Sequence, residues 1–84
     1  MNHKQKKILE AIFKKPTPTN IAWHDIENLF KALGSEISEG SGSRLRVKLN
    51  GVRAVFHRPH PSPYTDRGAV LSVKRFLQNA GVAS

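Results

Sequence analysis

The side chains able to do chemistry are concentrated between Arg44 and His60. Ser-Arg-Leu-Arg-Val-Lys-Leu precedes Asn50-Gly51, and Val-Arg-Ala-Val-Phe-His-Arg-Pro-His follows it. A histidine carries protons near neutral pH because its unperturbed pKa is about 6.5. An arginine offers a planar fork of donors that matches a phosphate, whereas a lysine acts as a point charge. His57 among Arg44, Arg46, Lys48, Arg53 and Arg58 therefore combines a proton carrier with anion-binding groups. That combination suits transfer chemistry at a phosphodiester: a base, an acid, and cations for the charge that builds on phosphorus. His60, three residues beyond His57, is the candidate acid. An exposed strand histidine is as readily a solvated polar residue as a proton carrier, and His60 between prolines is more readily a turn residue.

The spacing dictates how these groups are held. Apolar and basic residues alternate on both sides of Asn50-Gly51, the period-two pattern of strands with one buried face. Asn-Gly favours a two-residue type I′ turn, which needs positive φ at both central positions. This turn pairs Leu49 with Val52, Lys48 with Arg53, Val47 with Ala54, Arg46 with Val55, Leu45 with Phe56 and Arg44 with His57. Leu45, Val47, Leu49, Val52, Ala54 and Phe56 then share one face. Arg44, Arg46, Lys48, Arg53 and His57 share the other. Like charges placed across from each other destabilise a sheet, so a face that collects them points to an anionic partner.

The charge distribution agrees. Net charge is +8, and residues 1–43 contribute only +1 of it while residues 44–84 contribute +7. Every arginine lies in the second part, and the isoelectric point near 10.5 favours a polyanion such as nucleic acid. There is no cysteine. This removes disulfides and thiolate metal sites and fits a reducing cytoplasm, the expected location. His57 and His60 lack a nearby carboxylate to complete a metal site, and the acids are dispersed, so no metal or cofactor is expected. No apolar run is long enough to cross a membrane.

Three helical patterns surround the hairpin. Ile8, Leu9, Ile12 and Phe13 form a stripe in a first helix over Lys4–Phe13 that stops before Pro16. Trp23, Ile26, Leu29, Phe30 and Leu33 mark a second, closed by Gly34. Ser35 to Gly40 is a short strand centred on Ile37. Thr65 or Asp66 caps a last helix in which Ala69, Val73, Phe76, Leu77 and Ala80 share a face and Gly81 ends the run. The expected fold is α+β: a three-stranded antiparallel sheet with helices on one face, an α-β-β-β-α core like that of double-stranded RNA-binding domains, plus an extra N-terminal helix. Residues 1–18 are read as a helical extension and 19–84 as the domain proper. Trp23 is expected in the core, His3 and His24 on helix surfaces. Tyr64 is either packing or a surface on which a base stacks.

Four pieces in this order resemble HicA-type toxins. They are Asp25–Gly34, Gly42-Ser43, Pro59-His60 and Val73–Val82. The resemblance implies a small metal-independent endoribonuclease that cleaves mRNA and is neutralised by a cognate HicB-type antitoxin. Members of that family usually carry a histidine directly after Gly-Ser, taken as catalytic. Arg44 stands there in this sequence, so that role does not transfer, and His57 is the imidazole that borders the same surface. The alternative is a binding module that grips the RNA backbone through the basic face and cuts nothing.

Overall fold

The computed structural model describes residues 1–83. Ser84, the last residue of the expected domain, lies outside the described residues. The elements run α1 (His3–Phe13), α2 (Trp23–Ala32), β1 (Glu36–Glu39), β2 (Arg44–Leu49), β3 (Val52–His57) and α3 (Arg67–Asn79). The sheet is antiparallel in the order β1-β2-β3. This is the expected α+β arrangement.

Local chemistry sets the ends of the helices. Asn2 opens α1 with a capping box: its side chain accepts from the Gln5 amide at 2.9 Å, and the Gln5 side chain accepts from the Asn2 amide at 3.0 Å. Asp66 opens α3 by accepting from the Ala69 amide at 2.8 Å. Helices α2 and α3 close alike. Beyond α2, Gly34 donates to the Lys31 carbonyl and Ser35 to that of Phe30; beyond α3, Gly81 donates to Gln78 and Val82 to Leu77. Both reversals need a left-handed residue, supplied by Gly34 at φ +85° and Gly81 at φ +81°.

Apart from Val55, each strand of the hairpin puts its apolar residues inward. Leu45, Val47, Leu49 and Phe56 are buried against α2 and α3. Four aromatic rings form the centre. Phe30 of α2 stacks on Phe56 of β3 at 5.6 Å, and Phe76 of α3 meets both edge-on at 5.7 Å. Trp23 lies 5.8 Å from Phe56. Offset and edge-to-face contacts of this kind add to what burial alone contributes. Helix α1 packs on α2 and α3, and its Leu9 and Ile12 belong to the same buried cluster. The N-terminal helix therefore shares the core of the chain. The helices cover one face of the sheet and leave the other open.

Candidate nucleic-acid interface

The open face is built by the register. Arg44 pairs with His57, Arg46 with Val55 and Lys48 with Arg53, as the two-residue turn dictates. Asn50 at φ +50° and Gly51 at φ +81° make that turn. On the other side of β2, Lys48 pairs with Glu36 and Arg46 with Ser38. Three rows therefore cross the face: Glu36-Lys48-Arg53, Ser38-Arg46-Val55, and Arg44-His57 with Gly40 beyond Arg44. The Gly40 amide donates to the Arg44 carbonyl at 2.9 Å, and a Cβ at Gly40 would meet the Arg44 Cβ at 3.0 Å. The glycine leaves the end of the row beside Arg44 clear.

A shallow depression of about 510 Å³ lies on this face, lined by residues of all three strands, Arg46, Lys48, Arg53 and Val55 among them. Val55 is 55% exposed, an apolar floor between cations. Successive outward residues on one strand lie about 6.8 Å apart, and neighbouring strands about 4.8 Å apart. A lattice of that size holds several cations within reach of one extended anion. Lys48 meets Glu36 at 3.9 Å, an exposed and weak pair. Arg44, Arg46 and Arg53 have no acidic partner among the described residues.

The structure puts His57 on the exposed face, directly across from Arg44. His60 lies in the exposed Pro-rich loop that follows. Backbone bonds fix that loop at both ends. Arg58 donates to the Ser43 carbonyl at 3.0 Å, Trp23 to that of Pro63 at 3.0 Å, and Thr65 to that of Ile21 at 2.8 Å. Neither histidine makes a side-chain hydrogen bond among the described residues. Tyr64, 54% exposed, pairs through its backbone with Ala22. His24 meets the Asn28 side chain at 3.2 Å on the surface of α2. No group of three metal-ligating side chains converges among the described residues.

Arg58 is placed differently from the other candidate cations. By strand alternation it follows Phe56 on the helix side of the sheet. Its Nε donates to Glu27 at 2.8 Å, and its two terminal nitrogens donate to Glu39 at 2.8 and 2.7 Å. The guanidinium is thus committed to two carboxylates and ties the end of β3 to β1 and α2 in one contact. Sequence reasoning grouped it with the phosphate-binding cations. The parity of its position after Phe56 was the available signal that it faces inward, and the approach of Glu27 is a tertiary fact.

The Arg58 hydrogen bonds hold the Glu39 carboxyl below the usual carboxylate range, and the guanidinium charge adds to the effect. A carboxyl whose folded pKa is depressed contributes stability above its unfolded pKa of about 4.3 and loses it as pH falls through the lower folded value. Thermal unfolding of the wild type should therefore fall off more steeply between about pH 5 and about pH 3 than that of Glu39→Gln. Equal slopes in the two proteins would mean that the Arg58–Glu39 contact is not held in solution.

A family model described as the HicA toxin of bacterial toxin-antitoxin matches residues 23–82. No curated protein matches the chain, and no solved structure does. The matched stretch runs from the first residue of α2 to just past the end of α3, and so includes the whole basic face.

Proposed function

The chain belongs to the HicA toxin family of bacterial toxin–antitoxin systems, and from that premise we propose that it is a metal-independent endoribonuclease that cleaves mRNA and is held inactive by a cognate antitoxin. The observation that carries this reading is the open sheet face, where the His57 imidazole sits across from Arg44 and Arg44, Arg46 and Arg53 have no acidic partner among the described residues.

In this reading Arg44, Arg46, Lys48 and Arg53 bind consecutive phosphates of an RNA strand laid over the face. His57 takes the proton of the ribose 2′-hydroxyl. The 2′-oxygen attacks the adjacent phosphorus, and the P–O5′ bond breaks. His60 gives its proton to the departing 5′-oxygen. The products are a 2′,3′-cyclic phosphate and a 5′-hydroxyl. Paired hydrogen bonds from the arginines strengthen as negative charge gathers on the phosphate oxygens. Arg58 takes no part in binding RNA. It anchors the strand end from which His57 and the His60 loop project.

The family membership implies an antitoxin partner. The proposed antitoxin, of the HicB type, would cover the same face with acidic groups and so block RNA and the histidines together. The cytoplasm is the compartment in which such a target and inhibitor meet. No helix among the described residues is long and apolar enough to cross a membrane.

The test is incubation of the purified protein with single-stranded RNA in excess EDTA. Cleavage should proceed and leave 5′-hydroxyl ends. Arg44→Ala combined with Arg46→Ala should weaken RNA binding regardless of sequence and flatten its salt dependence by about 0.7 per lost phosphate contact. A protein that binds RNA tightly and never cuts it would overturn the nuclease reading. It would favour the second reading, a non-catalytic RNA-binding module, which the arginine at the family's histidine position supports.

A further inference from the structure

A second cleft, of about 170 Å³, opens where the free edge of β3 meets α3. Arg53, Ser72, Arg75 and Asn79 line it, with Ala54 and Phe76 at its apolar side. Ser72, Arg75, Phe76 and Asn79 fall at i, i+3, i+4 and i+7, so one stripe of α3 presents them together. Phe76 turns into the core and is 4% exposed. The polar three remain exposed beside it. A hydroxyl, a guanidinium and a carboxamide thus share a cleft with a second guanidinium, and no acid lines it. Arg75 has no ion-pair partner among the described residues.

Arg53 also lines the larger depression on the open face. The two concavities therefore meet at one side chain. The positive surface does not stop at the edge of the sheet. It runs from the Arg44-His57 corner along β3 to Arg53, about 14 Å by strand rise, and turns over the edge on to α3. We infer that the Arg53-Arg75 cleft is a phosphate subsite that holds an RNA strand beyond the proposed cleavage point, so that the protein favours RNA long enough to leave the sheet and reach α3. This rests on the ribonuclease reading and deepens it.

The experiment compares two 2′-O-methylated, uncleavable RNAs, a tetranucleotide and a dodecanucleotide, binding to the full chain. Wild type, Arg75→Ala and Lys31→Ala are measured over a range of salt. Lys31 is an exposed cation at the end of α2, away from both clefts. Arg75→Ala should weaken the dodecanucleotide about tenfold and lower its salt slope by about 0.7, and leave the tetranucleotide within about twofold. Lys31→Ala should change neither. Because Arg75 is exposed, its loss should leave the melting temperature in place, and Arg75→Glu should weaken the long RNA further.

The outcomes separate. If the wild type binds neither RNA, the ribonuclease reading fails and this inference falls with it. If the wild type binds both and Arg75→Ala matches Lys31→Ala, the subsite alone is overturned. Equal losses on the short and long RNAs would overturn it too. Polyglutamate of matching charge serves as the acidic-polypeptide probe. A loss on polyglutamate as large as that on RNA would mark an indiscriminate anion patch and overturn the RNA assignment.

Discussion

Replacing His57 with alanine should lower the single-turnover rate of RNA cleavage by about 10²–10⁴-fold, the range that one positioned proton carrier contributes. RNA affinity should barely move, because in the proposed reading Arg44, Arg46, Lys48 and Arg53 bind the phosphates. Stability should move little either. His57 is exposed and makes no side-chain hydrogen bond among the described residues, and substitutions at such positions usually stay within about 0.5 kcal/mol. In bacteria, the wild type should arrest growth on induction and His57→Ala should not. Unchanged cleavage with full binding would remove the imidazole from the mechanism and leave the guanidinium groups to explain the activity. His60→Ala provides the complement: loss of the acid should be felt least on substrates with a good leaving group.

Phe30→Ala should be the most damaging of the core substitutions. Phe30 is fully buried and touches Trp23, Phe56 and Phe76, so one ring joins α2, β3 and α3. Truncating a buried phenylalanine costs about 3–5 kcal/mol, through lost burial and the cavity left behind. Domains commonly have about 5–15 kcal/mol in total, and small ones have modest cores. A chain of this size should therefore lose more than about 12 °C in melting temperature or fail to fold. Leu71→Ala is the contrast, since Leu71 is 41% exposed on α3; it should cost far less. Equal losses in the two variants would show that the aromatic cluster does not carry the fold. The site depends on the cluster directly. Phe56 is the residue before His57, so loosening the ring stack releases the strand that aims the imidazole.

The basic face was legible in the sequence because two local rules agree there. Alternation assigns each residue of the hairpin to a face, and Asn-Gly fixes which residues are opposite. Neither rule needs tertiary knowledge, and the pairing from Arg44-His57 to Leu49-Val52 follows from them residue by residue. Helix ends were legible for the same reason. Gly34, Asp66 and Gly81 act within a turn of their own positions.

What could not be read depends on segments distant in sequence. Arg58 meets Glu27 across 31 positions and Glu39 across 19. Charge alone grouped Arg58 with its neighbours, and only folding brings the two carboxylates to it. Arg75 entered only through the charge of the second part, since nothing local says that α3 runs beside β3. The sequence leaves open what residues 1–18 pack against, and Leu9 and Ile12 are among the buried residues. An amphipathic stripe declares that it must be covered and does not name what covers it.

The Asn50 side chain donates to the carbonyl oxygen of Ala80 at 2.8 Å. Ala80 caps α3, so its carbonyl lacks a partner within the helix. A hairpin fastened only to itself can slip by one position, and such a slip exchanges its two faces. Here the tip is indexed against a fixed mark outside the ladder. Moving the strands past each other would first have to detach the tip from the helix. Glycine could serve the turn in place of Asn50 but could not hold that mark. One residue thus serves the reversal of the chain through its backbone and, through its carboxamide, helps fix which way the cationic surface points.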